Sequence, residues 1–156
     1  VQMLRSVATV RVELGTLAQS THLLKEVHFF IYMPSAQIAP DPGKYNHNTG
    51  KVNNVSLPDG VSPVAGPLSY TGFASTSGSF GEIYLAECKN QGVADANQLK
   101  MVLGLSKVSD PDVIRYYHAP ITDNEGNSLD IRRNSHYTLT FSRVIGDGMA
   151  TPQDAL

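Results

Sequence analysis

The sequence IRRNSHYTLTFSRVIGDG, residues 131–148, joins a polar turn to an alternating segment and ends at a Gly-Asp-Gly stop. The apolar positions of one face are Tyr137, Leu139, Phe141 and Ile145, and the polar positions of the other are Thr138, Thr140 and Ser142. Successive side chains of a strand point to opposite faces, so this period of two is typical of a half-buried strand. We therefore expect a strand here whose apolar face packs against a core.

The rest of the chain carries further strand patterns. They cover residues 4–14, 24–33, 51–57, 80–88, 98–108 and 113–121, each rich in β-branched, aromatic or alternating apolar residues. Residues 122–127 are predicted as a turn, since Asp, Asn and Gly tolerate left-handed backbone geometry. A helical pattern is confined to residues 16–25, with room for a short helical turn in the tail, residues 149–156.

These patterns predict an all-β fold, an antiparallel β-sandwich of about seven to eight strands. The chain has 156 residues, of which 41% are hydrophobic and 17% are charged, a composition typical of a globular domain with a substantial core. No internal repeat or linker divides the sequence. We therefore expect a single domain that spans residues 1–156.

Charge and cysteine content argue against several classes of function. The net charge is −2 and there is no run of Lys or Arg, so the basic surface typical of nucleic-acid-binding proteins is not expected. Cys88 is the only cysteine, so this sequence can form neither an intramolecular disulfide nor a cysteine-rich metal site. No segment approaches the roughly 20 apolar residues of a membrane-spanning helix.

Residues with catalytic or metal-binding chemistry do not form a known motif. The histidines are His22, His28, His47, His118 and His136, and no two have the i, i+4 spacing that places two ligands on one helix face. Residues 123–127 are similar to the start of a calcium loop, but a strand-like segment follows them, which favours a hairpin turn. The serines and Cys88 lack the flanking residues of a nucleophile. We expect no enzymatic activity, no cofactor and no bound metal.

Four segments resemble the fimbrillins, the pilus subunits of anaerobic Bacteroidales. Residues 133–137, Arg-Asn-Ser-His-Tyr, resemble the "RNxHYxVxVxxVxGxG" stretch near the C-terminal end of that family. Residues 4–12 resemble the strand that begins one fimbrillin domain, residues 114–121 the tyrosine-bearing strand before the Arg-Asn motif, and residues 146–155 the glycine stop and Ala-containing tail. The segments follow the family's order, although the valine-rich strand that usually comes after the tail is absent from this sequence.

The resemblance implies both a fold and a function. Fimbrillins have transthyretin-like sandwich domains with Greek-key connections, usually two, and this chain has the length of one, most simply the C-terminal domain of a larger pilin. The implied function is that of a structural subunit of a cell-surface fimbria, exported through the outer membrane, which polymerises by donor-strand exchange and supports adhesion. The implied partners are other copies of the same or related pilin subunits, with membrane contact only through a lipid anchor of the precursor.

The predicted strands suggest where a subunit would receive a strand from its neighbour. Ala8, Val10, Val12 and Leu14 form the apolar face of the first strand, and we expect them to lie beside Tyr137, Leu139 and Phe141 as the walls of a groove. The same seven residues can equally be ordinary sandwich core, since every sandwich needs such faces.

A second function is open from the sequence, that of a non-polymerising surface module such as a tip adhesin or lipoprotein domain. Such a module would bind a glycan or a host protein through the Pro- and Gly-rich middle of the chain, and would expose aromatic residues near Tyr45, Tyr70 or Phe73. Tyr116 and Tyr117, beside Arg115, are a further candidate for a carbohydrate-binding patch. In a strand, however, one of two neighbouring tyrosines normally points into the core.

Overall fold

The computed structural model describes residues 7–31, 45–46, 48, 51–52, 68–71, 80–85, 88–95 and 98–156. The strands in these ranges are β1 (Ala8–Leu14), β2 (His22–Ile31), β3 (Tyr45–Asn46), β4 (Lys51–Val52), β5 (Leu68–Thr71), β6 (Phe80–Leu85), β7 (Lys100–Lys107), β8 (Asp110–Ala119) and β9 (His136–Phe141). One helical turn, α1 (Thr16–Gln19), connects β1 to β2. The regular secondary structure of the described residues is therefore mostly β-strand, with almost no helix.

The longer strands form two sheets. The smaller sheet has the order β6-β1-β9 and the larger sheet has the order β5-β2-β7-β8, while β3 and β4 form a separate pair. The predicted all-β sandwich is confirmed. Every strand pair is antiparallel except β1 with β9, which run in parallel. Parallel pairing is possible here because β1 and β9 lie far apart in the sequence and no hairpin connects them.

The core lies between the inner faces of the two sheets. Val10 and Val12 contribute from the smaller sheet, and Phe29 and Met101 contribute from the larger one, with none of the four exposed to solvent. Burial of each such side chain contributes about 1.5–3 kcal/mol, which is offset in large part by the conformational entropy lost on folding. The apolar face of β1 thus packs against the larger sheet, as its alternating pattern predicts.

The segment after β1 differs from its prediction. A helical pattern was expected over residues 16–25, but α1 ends at Gln19 and β2 begins at His22. The backbone of β2 pairs with β7 from His22 onward, and this pairing replaces the hydrogen bonds that a longer helix would make. Helix propensity is a weak preference that such long-range pairing overrides.

Two predicted strands end early. The strand predicted over residues 80–88 ends at Leu85, and Cys88 forms an isolated antiparallel bridge with Ile131. The last strand ends at Phe141, so Ile145 does not lie on its buried face and is 87% exposed. Of the predicted strand at residues 51–57, β4 covers the first two residues, and residues 53–57 lie outside the described ranges.

A buried polar network fixes the connection between β6 and β7. Asp130 accepts the backbone N–H groups of Asn90 and Gln91 at 2.8 Å each. The side chain of Asn90 in turn accepts the N–H of Leu99 at 2.8 Å and donates to the carbonyl of Leu129 at 2.9 Å. Each of these bonds satisfies a group that burial would otherwise leave unpaired, so the network holds the β6–β7 connection against the segment that leads to β9.

Candidate functional site

The outer side of β9 is a free sheet edge in the part of the chain that the structure describes. β9 is the last strand of the smaller sheet, with β1 as its one neighbour there. Hydrogen bonds from Thr9 N–H to the Ser135 carbonyl and from Gly15 N–H to the Phe141 carbonyl show that the odd-numbered residues of β9 face β1. Because backbone groups alternate along a strand, those of His136, Thr138 and Thr140 point outward. We call these outward groups the β9 edge.

Two cavities lie close to β9, one at the end of the strand and one along the β9 edge itself. One, the apolar cavity, has a volume of about 300 Å³, and its walls include Leu103, Leu105, Tyr117, Ala119, Phe141 and Val144. The other, the polar cavity, has about 290 Å³, and its walls include Thr122, Asp123, Asn124, Thr138, Thr140 and Ser142. Both are also lined by Pro120, Phe141 and Arg143, so they meet at the end of β9.

The unequal size of the two sheets explains the apolar cavity. The smaller sheet has three described strands against four in the larger one. Tyr117 and Ala119 on the inner face of β8 line the same cavity as Phe141 of β9. The cavity therefore occupies the space in which a fourth strand of the smaller sheet would cover β8. Such a strand would hydrogen-bond to the β9 edge, and its inward side chains near Phe141 would enter the cavity.

The seven residues predicted as groove walls share one face of the smaller sheet. The register of β1 with β9 aligns Val10 with Tyr137, Val12 with Leu139 and Leu14 with Phe141. β1, however, has a paired strand on each side, β6 and β9, and Ala8 is fully buried like its neighbours on that face. The four residues of β1 thus belong to the core, and their part in a groove stays a prediction.

Of these seven, three line the cavities. Leu14 and Phe141 lie in the wall of the apolar cavity, and Leu139 and Phe141 lie in the wall of the polar one. Sequence reasoning missed the contributions of β7 and β8, among them Leu103 and Tyr117. Alternation in both segments indicated which residues face inward, but it could not indicate that β8 lies opposite an unfilled position of the other sheet.

The carboxylate of Asp123, in the turn beside the polar cavity, accepts hydrogen bonds from the turn itself. Asp123 accepts the backbone N–H groups of Glu125 and Asn127 at 2.9 Å each. These and related hydrogen bonds, the largest effect coming from Asn127, lower the pKa of Asp123. The predicted hairpin turn is confirmed by the bridge between Thr122 and Ser128. Among the described residues, no three His, Cys, Asp or Glu side chains lie close enough to hold a metal ion.

The two adjacent tyrosines of β8 do not form a joint patch. Tyr117 lies on the inner face and packs against the core, with its ring 6.1 Å from that of His22 in an edge-to-face contact. Tyr116 lies on the outer face, and its hydroxyl donates to a carboxylate oxygen of Glu26 at 3.2 Å. Burial raises the pKa of both phenols. The same carboxylate of Glu26 lies 2.6 Å from Nε2 of His28.

Some predicted positions lie outside the described residues. These are His47 and Phe73, together with the side chains of Tyr45 and Tyr70, so the exposed aromatic cluster expected of a binding module stays a prediction. The remaining histidines of β8 and β9, His118 and His136, are exposed on the surface.

Comparisons of the chain with protein-family models, with curated proteins and with solved structures give no match. No helix among the described residues has the length and apolar character that crossing a membrane requires.

Proposed function

We propose that this chain is a structural subunit of a cell-surface fimbria that polymerises by strand exchange and supports adhesion. The observation that carries the proposal is the β9 edge near the apolar cavity, in a sandwich whose smaller sheet has three described strands against four in the larger. The fimbrillin-like segments of the sequence point to the same class of protein. On this proposal the chain is a transthyretin-like domain of a larger pilin that is exported through the outer membrane.

The physical basis is that one inserted strand would both pair the outward backbone groups of β9 and fill the apolar cavity. The backbone groups of Thr138 and Thr140 gain partners, and each hydrogen bond contributes about 0.5–1.5 kcal/mol net. A side chain of the size of Val or Leu that enters the apolar cavity adds about 1.5–3 kcal/mol through burial. A contact of this kind joins different surfaces of two subunits, so it does not close on itself and produces a filament.

The predicted groove residues divide into two roles under this proposal. Leu139 and Phe141 contact the inserted strand directly, since both line the cavities along the β9 edge. The β1 residues, such as Val10 and Val12, support β9 from the core behind it. The partners are other copies of the same or related pilin subunits.

The test uses proline to close the β9 edge. Thr140→Pro removes an N–H that points away from β1, so the bonds between β9 and β1 are kept while strand addition loses a donor. Thr140→Ala is the matched control, because it removes the same side chain, with its 3.1 Å bond to Glu13, but keeps the N–H. Circular dichroism of both variants checks that the sandwich is retained.

The full-length protein is treated with a trypsin-like protease and run on a denaturing gel, with and without boiling. We expect a ladder that collapses on boiling for the wild type and for Thr140→Ala, and a monomer band for Thr140→Pro. An equal ladder from Thr140→Pro would show that β9 is not the site of addition. A single band from the wild type would contradict polymerisation and favour the alternative of a surface module that binds a glycan or a host protein.

A further inference from the structure

The outer strand β8 of the larger sheet differs from β9, because another part of the chain pairs with its outer side. β8 spans ten residues at the end of the larger sheet, and the tail of the chain pairs with its outer side. The N–H of Tyr116 donates to the carbonyl of Met149 at 3.0 Å, and the N–H of Met149 donates to the carbonyl of Tyr116 at 2.8 Å. This reciprocal pair occupies the middle of the β8 edge, where an incoming strand would have to bind.

Glycine is required where the tail meets β8. Gly148 has φ of +69°, and a Cβ atom on it would lie 2.7 Å from Cζ of Tyr117 and 2.8 Å from Cβ of Arg115. Gly146 also has a positive φ, of +81°, but a Cβ there would meet no atom within 4 Å. The two glycines therefore serve different purposes, since Gly146 turns the chain away from β9 and Gly148 lets its backbone lie directly on β8.

Beyond Met149 the tail folds onto the outer face of the larger sheet. Thr151 Oγ1 accepts the N–H of Asp154 at 3.2 Å and donates to its carboxylate at 2.8 Å, which closes a turn. The turn presents Ala155, which is 7% exposed and belongs to a small cluster with Phe30, Val102 and Tyr116. The tail thus passes from the end of β9 around β8 and is anchored on the far face.

We infer that residues 146–156 act as an edge clamp, which closes the β8 edge to strand addition while the β9 edge stays open to a neighbouring subunit. The inference rests on the proposed function and concerns its regulation. An open sheet edge can accept a strand from another chain, which leads to branched or disordered association where several edges are open. The clamp covers the β8 edge with the chain's own backbone, so strand addition at β8 is prevented.

The first experiment measures whether the clamp can be opened. Gly148→Ala places a methyl group against Tyr117 and Arg115, while Gly126→Ala puts the same group at a glycine of φ +85° with no atom within 4 Å. The two changes impose similar backbone strain, but only the first acts on the clamp. Amide hydrogen exchange should become about tenfold faster at Tyr116 in Gly148→Ala than in Gly126→Ala, and little changed at Leu103, whose strand stays paired.

Ala155→Asp opens the clamp from its other end and covers the case in which Gly148→Ala does not fold. It places a carboxylate in the apolar cluster with Phe30, so the same rise in exchange at Tyr116 is expected. If neither variant changes the exchange rate of the Tyr116 amide, the tail does not protect the β8 edge and the inference is overturned.

The second experiment separates this inference from the proposed function. Clamp-opening changes are combined with Thr140→Pro in the full-length protein, and association is followed by analytical ultracentrifugation. We expect Thr140→Pro alone to be monomeric and the double variant to associate through β8. If Thr140→Pro is monomeric and the opened double variant is also monomeric, the clamp inference fails while the proposed function stands. If Thr140→Pro polymerises like the wild type, β9 is not the site of addition, and if the wild type itself is monomeric, the proposed function fails.

Discussion

At the scale of single residues, His22 is the group whose protonation the fold opposes. It lies at the start of β2 with Nδ1 2.8 Å from the hydroxyl of Thr21, and its Nε2 has no hydrogen-bond partner among the described residues. Burial, and to a smaller extent the Lys107 ammonium, lower the pKa of His22 below its ordinary value of 6.5. The folded state therefore favours the neutral imidazole.

We predict that His22 makes the protein less stable in mild acid. As the pH falls through about 6.5, the unfolded chain binds a proton at this site that the folded chain does not, so the free energy of unfolding decreases. Urea unfolding between pH 8 and pH 5 should show a weaker dependence on pH for His22→Gln than for the wild type. Identical slopes for the two proteins would contradict the prediction.

At the scale of elements, the faces of strands could be predicted but their neighbours could not. The alternation of β1 correctly identified its buried side, because Val10 and Val12 need only one apolar surface to pack against. That β1 lies between β6 and β9 depends on contacts between distant segments, for which a single strand's pattern carries no information. For the same reason the sequence indicated Phe141 as a wall of the site but not Tyr117, which lies opposite it on another sheet.

The stability of the protein should depend on Asn90, although this residue lies in the β6–β7 connection and outside any strand. Asn90→Ala leaves the N–H of Leu99 and the carbonyl of Leu129 without their partners in a buried place, so we expect a loss of about 1–3 kcal/mol in the free energy of unfolding. Asn124→Ala, in an exposed turn, is the control and should change it by less than about 0.5 kcal/mol. Equal losses in chemical denaturation would show that the network carries little of the stability.

For the whole molecule, the mismatch between three described strands in one sheet and four in the other underlies the proposed binding site. The apolar cavity is walled by both sheets and by Val144, which packs against the main core although it follows β9. The sequence predicted a sandwich. It could not predict the number of strands in each sheet, because that number depends on the strand order. The site is therefore a property of the assembled fold.

A charge in the apolar cavity should impair assembly without unfolding the subunit. Val144→Asp places a carboxylate in the wall that an inserted side chain would contact, so we expect at least about tenfold less polymer at equal protein concentration. Val108→Asp is the matched control, since Val108 is 49% exposed in the turn between β7 and β8. Light scattering measures the polymer, and thermal unfolding confirms that both variants fold. Equal polymer from both variants would place the contact elsewhere.

The parallel pairing of β1 with β9 also sets the order of events during biosynthesis. Thr9 is paired with His136, so β1 gains this neighbour only after the 126 residues between them have been synthesised. Closure of so long a loop is slow compared with the formation of local hairpins such as β7–β8. β1 therefore stays without one of its two neighbours while the larger sheet can already form, and the smaller sheet is the part of the sandwich that is completed last.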